Sequence, residues 1–230
     1  MTPREIEAAL RRAHEAEMKV GALRFRSFVY GCIATAVVML GLFMSVLVYP
    51  QTIPREAAEH RRELVRASRS VWGMNAPVAT FAAQVHQESR WRAEARSGAG
   101  AQGLTQFMPA TARWIAEAYP ADLHPPAPFE PAWSLRALAR YDRFLFDRVS
   151  GLDECERMAF AMSAYNGGLG WVNRRKAQSD TPSICFGATC DINPGITAAN
   201  QRENAEYPRR ILLTLEPIYV AAGWGRGVCG

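Results

Sequence analysis

The chain has 230 residues, of which 49% are hydrophobic and 21% charged, enough to bury one sizeable core but with little left for a second domain. A formal net charge of +5 suits an anionic partner such as a membrane surface, an acidic wall polymer or a nucleic acid. The Lys and Arg residues are scattered and no short nucleic-acid-binding motif is present, so no nucleic-acid partner is expected.

Residues 1–27 read as a short amphipathic cytoplasmic segment with Ile6, Ala9, Leu10 and Ala13 on one side. The uncharged run FVYGCIATAVVMLGLFMSVLVY follows at 28–49; as a helix it spans about 33 Å, the apolar thickness of a bilayer. A long charged stretch precedes it and YPQTIP follows, unlike the short basic start and small-residue cleavage site of a removable signal peptide. A single retained transmembrane helix is therefore expected. Lys19, Arg24 and Arg26 lie close before the span, whereas the first positive charge after it is Arg55, which places the N-terminus in the cytoplasm and exports the remainder. Gly31, Ala34, Ala36 and Gly41 make the span less apolar than a leucine-rich anchor, leaving later release from the membrane as an open expectation that the VVML and LFMSVLV segments oppose.

Pro50 and Pro54 mark a stiff break, and 50–70 reads as a charged helical stalk ahead of a domain at 71–230. Helical periodicity dominates that domain, in Val78, Phe81 and Val85, in Leu135, Leu138, Tyr141, Leu145 and Val149, and in Tyr207, Ile211, Leu215, Ile218 and Ala222. No long alternating strand pattern or internal repeat interrupts it, so the fold class is all-α. Residues 124–133 (HPPAPFEPAW) and 179–200 read as loops. Cys155, Cys185, Cys190 and Cys229 form an even set on the exported side, where disulfides persist; three pairings are open. No His neighbours them at finger-like spacing, so no metal site is expected.

The helix beginning near Pro77 carries its apolar stripe through Val78, Phe81 and Val85 and meets Glu88 three residues later. Loss of water around a carboxyl raises its pKa and delivers it protonated at neutral pH, as a general acid requires. A solvent-facing Glu88, or one paired with Arg92 at i+4, is the plain alternative. In SGAGAQGLTQFMP, 97–109, three glycines permit close backbone approach to a ligand, and Gln106 is one amide among Leu104, Phe107 and Met108. Pro109 is expected to open a new helix, and AMSAYNGG, 161–168, to end another at Asn166 and two glycines.

Glu88-Ser89, then Gly103-Leu104-Thr105-Gln106, then Ala164-Tyr165-Asn166-Gly167-Gly168, then Glu203-Asn204-Ala205-Glu206-Tyr207 resemble the ordered motifs of the soluble lytic transglycosylases, glycoside hydrolase family 23. The resemblance covers roughly Val71 to Gly223. Its anchored layout and YPRRIL and AAGWG tail look like members encoded by bacteriophages and prophages. It implies a lysozyme-like helical domain that cleaves the β-1,4 bond between N-acetylmuramic acid and N-acetylglucosamine in peptidoglycan, leaves a 1,6-anhydro end, and uses no cofactor. Glu88 would be acid and then base; Ser89 would position the acetamido group or the glutamate; Gln106, Phe107, Met108 and Tyr165 would line the sugar sites. Asn166 would bind substrate, and the Tyr207 hydroxyl would hold the Glu88 carboxyl. Thr105 stands where the family usually has Met and Asn204 where it usually has Thr. Glu94 and Asp142 read as surface charges rather than a second catalytic carboxylate. The expectation is a monomeric phage endolysin held at the host inner membrane, with a periplasmic catalytic domain. A goose-type hydrolytic muramidase, or a non-catalytic glycan-binding scaffold of a secretion or conjugation machine, is the alternative.

Overall fold

The structure, a computed structural model, describes residues 52–229. The expected cytoplasmic segment 1–27 and transmembrane helix 28–49 lie outside the described residues. Among the described residues no helix is long and apolar enough to cross a membrane.

The first helix, α1 (Ala57–Trp72), corrects the expected domain boundary. It buries Ala57, Leu64, Ala67 and Ser68 and packs against α5 (Pro131–Phe146). Trp72 closes the contact: its indole N–H donates to the Ala139 carbonyl at 3.0 Å, and its ring meets Phe81 at 5.3 Å and Phe146 at 5.2 Å. The stretch expected to stand off as a stalk therefore packs on the fold from Ala57 onward, ahead of the expected start at Val71. Positions 57, 64 and 67 share one helical face, but they form a narrow stripe that the surrounding Arg and Glu residues mask in any averaged reading.

Helix α2 (Val78–Ser89) lies inside the domain. Every residue from Val78 to His86 is buried, so the expected one-sided stripe is a helix enclosed by α1, α9 (Glu216–Ala221) and the segment before α9. Burial from all sides suits its composition, with small Ala79, Ala82 and Ala83 interleaved between Phe81 and Val85. Two of its polar members reach partners on the following segments: Thr80 Oγ1 donates to buried Glu216, and His86 Nδ1 meets the Tyr219 hydroxyl at 3.2 Å.

Pro109 opens α3 (Pro109–Ala118) with its missing N–H where none is needed. A single turn, α4 (Pro120–Leu123), leads to α5. Asp153 caps α6 (Glu154–Gly167) by accepting from Glu156 N at 2.8 Å, and α7 (Leu169–Ala177) follows directly. The loop after α7 is closed by the Cys185–Cys190 disulfide and one 3-10 turn, Thr189–Asp191.

The run expected as one helix from Tyr207 to Ala222 is three elements. Helix α8 (Ala198–Arg209) passes into a π-helical segment, Arg210–Leu215, before α9. Pro208 lies inside α8 and Pro217 at the start of α9. Each removes a backbone donor and crowds the carbonyl four residues back, so regular α-helical bonding fails on both sides of the widened turn. Beyond α9 the tail returns to α2: Ala79 N donates to the Arg226 carbonyl at 3.2 Å, Glu216 accepts from Val228 N at 3.1 Å and Cys229 N at 2.9 Å, and Cys229 is bonded to Cys155 of α6. The pairing left open by the sequence is thus 155 with 229 and 185 with 190. Among the described residues there is no strand, only isolated antiparallel bridges from Gln102 to Arg96 and Phe107.

Candidate active site

Glu88 occupies the last turn of α2, where the helix emerges from the core. The chain leaves it abruptly: Arg90 and Trp91 both have positive φ, 54° and 65°, a conformation uncommon for non-glycine residues. Trp91 holds that reversal in place. It is 1% exposed, donates from its indole to the Tyr219 hydroxyl at 2.7 Å and packs on Trp224 at 5.4 Å. Arg92, the alternative partner for Glu88, instead donates to the Ser89 carbonyl at 3.0 Å.

The loop between α2 and α3 forms one wall. Gly103 has φ +75°, and a Cβ there would lie 1.7 Å from the Pro128 carbonyl oxygen, so only glycine fits. Gln106, with φ 49°, spends its amide N–H groups on the carbonyls of Gly103 at 2.9 Å and Ala95 at 3.2 Å. Its Oε1 receives no hydrogen bond among the described residues, so the amide presents an acceptor to the cleft. Phe107 is 2% exposed and packs on Trp133, Tyr141 and Tyr165; Met108 is 44% exposed.

The opposite wall comes from α6 and α8. Tyr165 donates to the Thr105 carbonyl at 2.7 Å and lies parallel to Tyr207, with centroids 6.4 Å apart. The Tyr207 hydroxyl donates to Glu88 Oε1. Asn166 donates to Glu203 Oε1 at 3.4 Å and accepts from Asn204 Nδ2 at 2.8 Å. Buried Asn204 is in turn held by Ser163 Oγ and Arg175 Nη1, each at 2.7 Å from its Oδ1. A Cβ on Gly167 would lie 2.5 Å from that Asn204 amide. The asparagine that departs from the usual threonine thus supports Asn166 rather than weakening the site.

Together these groups enclose a cleft of about 430 Å³ lined by Glu88, Gln106, Phe107, Met108, Tyr165, Asn166 and Tyr207, with Gln87, Thr111, Tyr141 and Glu203 among the additions. Seven of the eight site residues expected from the sequence meet there. Ser89 does not: it is 2% exposed, and its hydroxyl turns back to the Val85 carbonyl at 3.5 Å. A serine in a helix's last turn has that carbonyl within reach, and the motif pattern does not register the competition. Glu203 is the residue the sequence reading missed. It lay within the quoted ENAEY string, and four-residue helical spacing to Tyr207 was the signal.

Loss of solvent around Glu88, reinforced by the Glu203 charge, pushes its pKa up to about 8 against the opposing Tyr207 hydrogen bond. The carboxyl is therefore protonated at neutral pH. Burial and the Glu88 charge hold the Tyr207 phenol well above its ordinary value, so it remains a donor. Glu94 is exposed and outside the cleft, as expected for a surface charge. Asp142 is the opposite of that expectation, at 1% exposure beneath the site; its spacing from Leu135 and Leu138 already put it beside the buried stripe. Among the described residues no group of three or more His, Cys, Asp or Glu side chains is placed to hold a metal.

Comparison with known proteins agrees with this architecture. Membrane-bound lytic murein transglycosylase F of Shewanella pealeana is 35% identical over 102 residues, covering 43% of this chain and 20% of the relative. Its counterpart from Shewanella halifaxensis is 28% identical over 124 residues, covering 54% and 24%. The chain thus spans about a fifth to a quarter of the length of the curated relatives it matches. Among solved structures, an inactive mutant of lytic transglycosylase Slt from Pseudomonas aeruginosa superposes with a TM-score of 0.59 at 24% identity, over 74% of this chain and 25% of that one. The 70 kDa soluble lytic transglycosylase of Escherichia coli gives 0.52 at 21% identity, over 73% and 25%. These two establish the fold as that of the lytic transglycosylases. The transglycosylase SLT domain model matches residues 68–184, just over half of the chain, and the chain belongs to that family.

Proposed function

We propose that this protein cleaves the glycan strands of peptidoglycan by non-hydrolytic transglycosylation, with Glu88 as the one carboxyl serving both proton transfers. The observation that carries the reading is Glu88 held by the Tyr207 hydroxyl in a cleft lined by amides and aromatic rings, where loss of solvent pushes its pKa up to about 8. In the first step Glu88 gives its proton to the glycosidic oxygen between muramic acid and glucosamine as the C1–O bond breaks. The substrate's own acetamido oxygen supports the cationic C1, which replaces the second carboxylate of ordinary glycosidases. Glu88, now a carboxylate, takes the proton from the muramic C6 hydroxyl, whose oxygen bonds to C1 and closes the 1,6-anhydro ring. No water is consumed. The Tyr207 hydrogen bond steadies the carboxylate between the two steps; Gln106 and Asn166 supply amide contacts to the sugars, and Phe107 and Met108 an apolar floor.

One observation favours a second outcome. Glu203 lines the same cleft and its charge acts on Glu88, so it is a candidate base for an attacking water, which gives a hydrolytic muramidase. Mass spectrometry of muropeptides released from peptidoglycan by the full chain separates the two: anhydro ends are one water lighter than reducing ends. Glu88→Gln abolishes release while the fold is retained; cleavage that survives this substitution refutes the assignment.

The placement we propose is a tether through 28–49 in the bacterial inner membrane with the folded unit in the periplasm, acting as a monomeric phage endolysin. The uncharged span, the charge asymmetry around it and two disulfides beyond it support this reading. Expression in a bacterial host is expected to lyse cells with the wild type and not with Glu88→Gln, and fractionation is expected to find the protein in the membrane. Fractionation repeated after collapse of the membrane potential tests whether the tether lets go.

A further inference from the structure

Beneath Glu88, one helical turn back on α2, Gln84 is wholly buried and faces Asp142 of α5, itself 1% exposed. Gln84 Nε2 donates to Asp142 Oδ1 at 3.2 Å. The two remaining polar atoms, Gln84 Oε1 and Asp142 Oδ2, are both shut off from solvent and both without a partner. An amide oxygen and a carboxylate oxygen are acceptors only, so an ionised Asp142 leaves two buried acceptors unsatisfied on a pair already joined by one hydrogen bond. A single proton on Asp142 Oδ2 removes the difficulty: the acid donates to Gln84 Oε1 while the amide donates to Oδ1, and every polar atom of the pair is then used.

The surroundings point the same way. The groups that interact electrically with Asp142 are Glu88 on α2, neighbouring Tyr141 on α5, Tyr165 on α6 and Tyr207 on α8. None of them is a cation, and a buried carboxylate with no counter-charge is strongly disfavoured. Burial, with the Glu88 charge added, holds the Asp142 carboxyl well above the usual carboxylate range.

Resting on the reading of Glu88 as the acid and base, we propose that Asp142 is a neutral carboxylic acid locked in a reciprocal pair with Gln84, and that this pair is a positioning device for Glu88. It ties the turn of α2 just before Glu88 to α5, the helix that also carries Tyr141 into the cleft wall. Because the pair is uncharged, it fixes the Glu88 backbone without placing a second negative charge under a carboxyl that must become negative after its first proton transfer.

The test uses the full chain. In a Glu88→Gln background, which removes the other carboxyl whose pKa burial raises, infrared difference spectra with and without Asp142→Asn at pH 7 are expected to show loss of a carboxylic-acid carbonyl band. Loss of a carboxylate band instead overturns the proposal. With Glu88 intact, Asp142→Asn reproduces both hydrogen bonds, because its amide donates to Gln84 Oε1 and accepts from Nε2. It is expected to keep the alkaline limb of kcat/KM where it is and to raise the unfolding midpoint at neutral pH, because the folded wild type holds a proton on Asp142 that the unfolded chain releases. Asp142→Ala is expected to lower kcat by about tenfold or more through lost positioning, with KM changed by less than about twofold. A limb that moves to lower pH in Asp142→Asn means that a charge was removed, and an Asp142→Asn variant as slow as Asp142→Ala means that the pair does not position Glu88; either overturns the proposal. If no preparation cleaves peptidoglycan, the functional reading fails while the infrared comparison still decides the state of Asp142.

Discussion

Glu88→Gln should stabilise the protein that it inactivates, by an amount that depends on pH. In the folded chain the carboxyl has a pKa of about 8 against an ordinary value of 4.5. Between those pH values the folded state holds a proton that the unfolded state has released, so wild-type stability falls as pH rises through this window. Below pH 4.5 both states are protonated and the contribution is complete; above about 8 it has been lost. Each pH unit of the window corresponds to about 1.4 kcal/mol, so at pH 7 the wild type is weakened by about 3 kcal/mol, reduced to roughly 1–3 kcal/mol because the carboxyl opens onto a solvated cleft. Glutamine does not titrate, and its oxygen still accepts from the Tyr207 hydroxyl. Denaturant midpoints of both proteins, followed by tryptophan fluorescence at pH 4, 5.5, 7 and 8.5, are expected to diverge steadily in favour of Glu88→Gln. A gap that is constant with pH, or that closes as pH rises, refutes the burial argument for the catalytic acid.

Two substitutions around Glu88 are expected to move the alkaline limb of kcat/KM in opposite directions. Tyr207→Phe removes the hydrogen bond that favours the charged form and should raise the limb by about 1–2 pH units while lowering kcat; Glu203→Gln removes a like charge and should lower it by about a few tenths of a pH unit, less at high salt because Glu203 is exposed. Shifts in the same direction contradict the site electrostatics. The two disulfides should differ in worth. Cys155–Cys229 closes a separation of 74 residues and Cys185–Cys190 one of 5, so chain entropy predicts that replacing both cysteines by alanine costs about 4 kcal/mol for the first pair and about 2 kcal/mol for the second. Equal or reversed losses in chemical unfolding argue against that account.

The helical class, the Glu88 position, the helix start at Pro109 and most of the cleft were legible because each rests on local chemistry, whereas the helix start at Pro131 fell inside the expected loop 124–133. A proline fixes a first turn wherever it stands, and four ordered motifs bring their side chains together once the fold is formed. What was not legible depends on partners distant in sequence. The charged helix α1 reads as a stalk until α5 supplies a surface for Leu64 and Trp72. Asp142 reads as a surface charge until Gln84, 58 residues earlier, supplies its hydrogen bond. Cys155 and Cys229 are joined because Glu216 gathers the tail's backbone N–H groups, and cysteine spacing says nothing about that. Ser89 is the converse case: a motif assigned it to the substrate, and a helix carbonyl within its own turn claimed the hydroxyl.

The π-helical segment connects these failures to function. Regular helical spacing puts Tyr207, Ile211 and Leu215 on one face, which makes Tyr207 a core tyrosine like any other. The structure needs two different things of that face: Ile211 and Leu215 are wholly buried against α2, whereas the Tyr207 hydroxyl must reach the end of α2 where Glu88 emerges. A widened turn between them changes the angular relation of residues before and after it, and such turns recur at functional sites for that reason. Pro208 and Pro217 already deny the stretch a regular α-helical ladder on both sides, so the π turn arises where the backbone bonding is weakest. The same arrangement leaves Tyr207 braced by Tyr165 and aimed at one carboxyl. On the proposed mechanism that carboxyl gives up a proton and takes another without changing position, and the irregular helix sets the tyrosine that holds it.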